Sequence, residues 1–89
     1  MSKQMIINAI HTEQQTIRFK YPIVFTLHDT EKGNYYTEWP VMGFFVEGEE
    51  VLVQQKIIEY LLSLYHEYII IGCKNRDMLM QKRIEALFA

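Results

Sequence analysis

Residues 33–65 read GNYYTEWPVMGFFVEGEEVLVQQKIIEYLLSLY, and this stretch decides the fold of the chain. It opens on a Gly-Asn pair, which is typical of turns. Residues 35–39 are rich in β-favouring aromatics and predict one strand, and residues 44–46 predict a second. On a helical wheel of residues 51–69, the apolar side chains fill an arc of about 200°. The stretch therefore predicts two strands followed by one long amphipathic helix.

Two further strands are predicted before this stretch. Residues 4–10 form a short apolar segment. From Thr16 to Leu27, apolar and aromatic side chains such as Tyr21 hold the odd positions, which predicts a strand with one buried face. Pro22 interrupts this pattern and donates no ladder hydrogen bond, so it marks an edge, a bulge or a break into two strands. A polar turn over residues 28–34 then leads into the aromatic strand.

The helical period fails at Ile70. Residues 68–71 are mostly β-branched and end at Gly72, so they predict a short strand. Asn75 is expected to cap a last helix, with Asp77 in its first turn. The chain therefore predicts a single α+β domain over residues 1–89. Its fold would be a small, mostly antiparallel sheet of three to four strands, with one long helix packed on it and a short C-terminal helix.

Composition excludes several classes of protein. The chain has 89 residues, of which 49% are hydrophobic, so it is not of the disordered class. A formal net charge of −2 lacks the basic field of a nucleic-acid binder. The C-terminus is mildly basic, so nucleic-acid contact stays open as the less favoured alternative to a solvated helix face; its basic residues are Lys74, Arg76, Lys82 and Arg83. A single cysteine favours a reducing compartment, and no apolar run approaches the ~20 residues of a spanning helix. We expect a cytoplasmic protein without membrane contact.

Residues with catalytic chemistry are few and isolated. His66 and Glu67 begin like the zinc-protease helix motif, but Ile70 stands where the second histidine is required. His28 beside Asp29 would make half of a nucleophilic triad, although no nucleophile can be named and a capping aspartate is the simpler interpretation. Cys73 is either a reactive thiol or a small buried hydrophobe. We expect no enzyme, no metal and no cofactor.

The aromatic residues of the hairpin predict a surface that contacts another protein. Neighbouring residues of a strand point to opposite faces, so Tyr35 and Tyr36 cannot share one core, and neither can Phe44 and Phe45. One set is covered by another part of the chain or by a partner, because exposed aromatic patches mark interfaces. Tyr36, Trp39 and Phe45 are the predicted contact residues.

The helical arc carries a second expectation. An arc of about 200° is wider than the stripe of just over ~100° that packing on a sheet requires. The surplus covers the C-terminal segment or meets another chain. The second alternative would make the protein a homo-oligomer.

A run of short motifs resembles the HicB-like antitoxins. The motifs are Tyr21-Pro22 in a strand, a turn ending in Gly33, the aromatic strand with its Trp39-Pro40 end, a glycine-containing segment and a long helix, over roughly residues 20–65. The resemblance implies an antiparallel sheet with a helix on one face, and a non-enzymatic function of binding and masking a toxin ribonuclease. An alternative is a small phage or mobile-element accessory protein that regulates a host factor by surface binding.

Overall fold

The structure, a computed structural model, describes residues 2–74 and 76–89. Within these residues the chain forms a four-stranded sheet and two α-helices. The strands follow one another in the order β1-β2-β3-β4, and each neighbouring pair is antiparallel. The predicted α+β fold is confirmed. Its elements are β1 (Lys3–His11), β2 (Thr16–Asp29), β3 (Asn34–Trp39), β4 (Phe44–Glu49), α1 (Glu50–His66) and α2 (Met78–Glu85).

The core lies between one face of the sheet and α1. The buried residues of α1 recur every three or four positions, which is the stripe of a helix that packs along one side. This stripe meets the buried odd-numbered residues of β2, and one residue of α2, Ile84, closes the core. The buried α1 residues are Val53, Ile57, Leu61 and Leu64, and their β2 partners in the cluster are Ile17, Phe19, Phe25 and Leu27.

β2 runs without a break through Pro22, and the proline lies where the ladder with β1 is irregular. Pairing is regular up to Ile7 and Ile23, and it resumes toward the N-terminal end of β2 only after a register shift. Of the three predicted alternatives for Pro22, the break into two strands is wrong, since β2 is continuous, and the register shift beside the proline is that of a bulge or a similar irregularity. Tyr21 lies in this irregular segment and is 78% exposed. The prediction that Tyr21 joins the buried face is wrong, because the irregularity ends the alternation there.

The connection between β2 and β3 is shorter than predicted. His28 and Asp29 belong to β2, so the turn begins only at Thr30. The Thr30 amide and hydroxyl both donate to the Asn34 carbonyl oxygen, at 2.8 and 2.9 Å. Gly33 has a φ of +76°, a left-handed conformation that glycine adopts without steric strain. The strand pairing therefore reaches two residues further than the turn residues indicated.

The predicted strand at residues 68–71 is wrong. This segment continues α1 as a π-helix, Glu67–Ile71, which ends at Gly72 in the left-handed conformation. Ile70, which the helical period places on the polar side, is 68% exposed, so an exposed isoleucine and not a change of structure breaks the apolar pattern there. Arg76 holds the segment in place through two hydrogen bonds to the Glu67 carboxylate, at 2.8 and 2.9 Å.

The start of α2 differs from its prediction. Asp77 is the N-cap residue, and its carboxylate accepts a 2.8 Å hydrogen bond from the Met80 amide, so it does not lie in the first turn. The predicted cap Asn75 lies outside the described residues. After α2, Phe88 packs against the rings of Tyr65 and Tyr68, each with centroids 5.2 Å away. Part of the wide apolar arc of α1 therefore covers the C-terminal segment.

Candidate partner-binding surface and cleft

The sheet has one face against α1 and one face that no described helix covers. On the uncovered face, Ile6 and Val24 form a cross-strand pair and are 59% and 50% exposed. His28, Tyr36 and Phe45 also lie on this face, one on each of β2, β3 and β4. His28 pairs directly with Tyr36, and Phe45 pairs with Glu38, two residues further along β3. Three adjacent strands thus present ring side chains to solvent.

These three residues form a continuous stack, which we call the aromatic row (His28, Tyr36 and Phe45). The His28 and Tyr36 ring centroids are 4.8 Å apart with an interplanar angle of 24°. The Tyr36 and Phe45 centroids are 6.0 Å apart with an angle of 27°. Phe45 ends the row and is 61% exposed. Because each ring already restricts the motion of its neighbour, binding of a partner to the row costs little additional side-chain entropy.

Carboxylates flank the aromatic row. Glu47 pairs with Tyr36, Glu49 pairs with Asn34, and Glu38 pairs with Phe45. Residues directly opposite one another in an antiparallel pair lie on the same face of the sheet, so all three carboxylates share the face of the row. All three residues are exposed. The surface therefore combines apolar rings with negative charge, and the complementary surface is apolar with positive charge.

Trp39 does not belong to this surface. It lies three residues after Tyr36 on β3, and an odd separation along a strand places the two side chains on opposite faces. The Trp39 ring packs edge-on against Phe25 with centroids 5.5 Å apart, and Trp39 is half-buried. Of the three predicted contact residues, the structure brings Tyr36 and Phe45 together and places Trp39 apart from them. His28 was expected in the turn, so its place in the row was not predicted from the sequence.

Trp39 lines a cleft between β2 and β3. The cleft has a volume of about 390 Å³, and Glu38, Ala86 and Leu87 line it together with Trp39 and residues 21–26 of β2. It exists because β2 and β3 pair only at His28↔Tyr36 and Asp29↔Tyr35, whereas β3 and β4 stay in register to Trp39↔Phe44. The volume falls within the range of ligand pockets, about 300–1,000 Å³.

The structure places two of the residues with catalytic potential, Cys73 and His28, in packed surroundings. Cys73 is 1% exposed, and burial raises the pKa of its thiol, which favours the interpretation as a small buried residue. Among residues 2–74 and 76–89, no three histidine, cysteine or acidic side chains lie close enough together to hold a metal ion. His28 stacks on Tyr36 at the end of β2 instead of standing in an open turn.

Comparisons with known proteins leave the chain without an assigned family. No protein-family model, no curated protein and no solved structure matches it. The resemblance to HicB-like antitoxins therefore rests on the sequence motifs of residues 20–65. None of the helices that the structure describes has both the length and the apolar character needed to cross a membrane.

Proposed function

We propose that this chain is a non-enzymatic protein-interaction module that binds a partner protein through the uncovered face of its sheet. The observation that carries the proposal is the aromatic row, flanked on the same face by Glu38, Glu47 and Glu49. Buried aromatic anchors within a polar rim are the arrangement that dominates binding energy at protein interfaces. The carboxylates add attraction toward a basic partner and repel acidic surfaces.

The partner class that we propose is a toxin ribonuclease, which the chain would bind and mask as a HicB-like antitoxin. Two independent arguments support this class. The motifs from Tyr21-Pro22 to Trp39-Pro40 resemble that family. A ribonuclease binds a polyanion and therefore presents a basic surface, and the glutamates beside the aromatic row are complementary to such a surface.

The same proposal includes self-association in the cytoplasm. Ile69 and Ile70 on the π-helix, with Met78 and Leu79 on α2, are exposed apolar residues that a second copy would cover. Light scattering of the purified protein over a concentration series measures the solution mass. A dimer or larger species supports the homo-oligomer, and a monomer at every concentration contradicts it.

The binding surface is tested with the protein encoded next to this chain in its genome. We expect that neighbour to arrest growth when it is expressed alone, and co-expression of this chain to relieve the arrest. The double variant Tyr36→Ala/Phe45→Ala removes two anchors and should weaken the complex about 100-fold, as measured by calorimetry. Val51→Ala is the matched control, because Val51 is an exposed apolar residue on α1 and lies outside the row.

Two results would count against the proposal. A double variant that relieves the growth arrest as well as the unmodified chain would show that the aromatic row is not the contact surface. A neighbour that neither arrests growth nor binds would remove the antitoxin assignment. The charge argument is tested separately, since replacing Glu38, Glu47 and Glu49 by glutamine should reduce the salt dependence of binding.

A further inference from the structure

We propose that the cleft between β2 and β3 binds an extended, basic peptide segment of a partner protein, which pairs with the free edge of β2 as an added strand. This site goes beyond the proposed function, because it uses main-chain recognition and side chains other than the aromatic row. Strand addition to an exposed sheet edge is a general mode of peptide recognition, in which backbone hydrogen bonds provide affinity and neighbouring side chains provide specificity.

In the part of the chain that the structure describes, one edge of β2 lacks a neighbouring strand along the cleft. Pairing between β2 and β3 ends at His28↔Tyr36, and pairing between β2 and the C-terminal segment is confined to Phe19↔Phe88. Between these two points, residues 21–26 of β2 line the cleft. From Ile23 onward, the other edge of this segment carries the ladder with β1, which includes Ile6↔Val24 and Gln4↔Thr26. The β3-facing edge of this segment therefore has no strand in register with it among the described residues.

Two backbone hydrogen bonds, one at each end of the cleft, show which backbone groups of β2 face it. The Lys20 amide donates to the Leu87 carbonyl at 2.9 Å, and the Thr30 amide donates to the Asn34 carbonyl at 2.8 Å. Both bonds leave β2 on its β3-facing edge, one on each side of the cleft. Backbone groups of a strand alternate between its two edges, so the even-numbered residues turn toward this edge. Val24 and Thr26 are the even-numbered residues of the cleft that lie in the regular part of the ladder with β1, and Pro22 has no N–H to leave unpaired.

The cleft along the unpaired edge of β2 matches an extended, basic peptide in its spacing, its length and its charge. The backbone N–H and C=O groups of Val24 lie about 7 Å along the strand from those of Thr26. This distance is the two-residue repeat of an extended peptide. The C-terminal segment closes one end of the edge and the paired part of β3 closes the other, so only a short segment fits. Glu38 and Trp39 line the β3 side of the cleft, and their side chains lie on opposite faces of the strand. The Glu38 carboxylate favours a lysine or arginine side chain in the bound segment.

The test uses hydrogen exchange of the full, isotope-labelled chain with a defined probe, the acetylated and amidated pentapeptide Thr-Val-Arg-Val-Thr. In the free protein, we expect the Val24 and Thr26 amides to exchange rapidly, while the Phe25 amide, which faces β1, is protected. A millimolar excess of the peptide should slow exchange at Val24 and Thr26 about tenfold or more and leave Phe25 unchanged. Protection of Val24 and Thr26 in the free protein, or no slowing with the peptide, would overturn the proposal.

Variants separate backbone pairing from side-chain contact. Val24→Pro removes one cleft-facing donor without removing a bond to β1, and should abolish peptide binding. Val24→Thr keeps the donor and should bind as well as the unmodified chain, so a loss of binding in Val24→Thr would refute main-chain recognition. Glu38→Lys should reverse the charge preference of the cleft, so that this variant binds Thr-Val-Glu-Val-Thr more tightly than the arginine peptide. This measurement can still be made if Val24→Pro does not fold.

The same experiment distinguishes a bound peptide from a second copy of the chain, and it distinguishes the cleft from the aromatic row. In the absence of peptide, exchange at Val24 and Thr26 is measured as the protein concentration is raised. Slower exchange at higher concentration would show that a second copy of the chain fills the cleft, and it would overturn the peptide proposal. The Tyr36→Ala/Phe45→Ala variant should bind the peptide normally. Failure of the aromatic row as a contact surface and failure of the cleft as a peptide site are therefore separate outcomes.

Discussion

Replacing Thr37 by valine should stabilise the protein. Thr37 lies in β3 and is 1% exposed, and its hydroxyl oxygen has no hydrogen-bond partner among the described residues. A buried polar group without a partner costs about 1–3 kcal/mol, because it has lost its hydrogen bonds to water and gained none in the fold. Valine has nearly the same shape and removes the hydroxyl, so the surrounding packing is retained.

The expected gain in the free energy of unfolding is about 1 kcal/mol, at the lower end of that range, because a strand residue relaxes slightly around the substitution. In a domain of 60–100 residues, about 1 kcal/mol corresponds to a rise in Tm of roughly 4–8 °C. Urea unfolding can be followed by the fluorescence of Trp39, the single tryptophan of the chain, which packs on the core residue Phe25. The slope of the unfolding free energy against urea should not change.

Two matched variants complete the test. Thr37→Ser keeps the hydroxyl and loses a buried methyl group, so it should destabilise the protein by about 1 kcal/mol. Thr30→Val removes a hydroxyl that donates to the Asn34 carbonyl oxygen at 2.9 Å, so it should also destabilise. A Thr37→Val variant that is less stable than the unmodified chain would refute the reasoning, since it would show that the Thr37 hydroxyl is satisfied in solution.

Three further predictions concern other parts of the fold. Gly48→Ala should lower the free energy of unfolding by about 1–2 kcal/mol in urea titration, because φ there is +155° and an added Cβ would lie 2.8 Å from the flexible Leu52 side chain; an unchanged midpoint would contradict this. The hydrogen bonds from Arg76 lower the pKa of Glu67, so the ion pair stabilises the fold above the unfolded carboxyl pKa of about 4.3 and is lost as pH falls through the folded pKa. The stability advantage of the unmodified chain over Arg76→Gln should therefore shrink in acid, and an advantage independent of pH would exclude this cause. Burial raises the pKa of the Cys73 thiol, so a thiol reagent at neutral pH should label the native protein at least about tenfold more slowly than the urea-unfolded protein; equal rates would show that the thiol is accessible.

Periodicity alone predicted most of the fold. The alternation in β2 and the helical stripe of α1 each arise from burial on one side, so the sequence records them directly. The π-helix at residues 67–71 was mistaken for a strand, because its run of β-branched residues favours a strand and its exposed Ile70 was taken as the end of the helical pattern. Tyr21 was assigned to the core because an irregularity in the ladder changes the alternation without changing residue types.

The candidate surface was predicted in part. Alternation alone separates Tyr36 from Trp39, and it correctly indicates that the hairpin has two aromatic faces. Membership of His28 in the aromatic row depends on the register between β2 and β3, which is set by the length of the turn. The cleft depends on where that pairing ends and on the C-terminal segment that pairs with the other end of β2, a contact between residues far apart in sequence.

The binding surface is tested most directly by nuclear magnetic resonance cross-saturation in the complex with the proposed toxin partner. Saturation of the unlabelled partner should transfer to the amides of Tyr36, Phe45 and Glu47, on the uncovered face of the sheet, and not to those of α1 or α2. Transfer centred on the exposed residues Ile70 and Met78 would contradict the account, since it would place the partner on the C-terminal side of the molecule and leave the aromatic row unused.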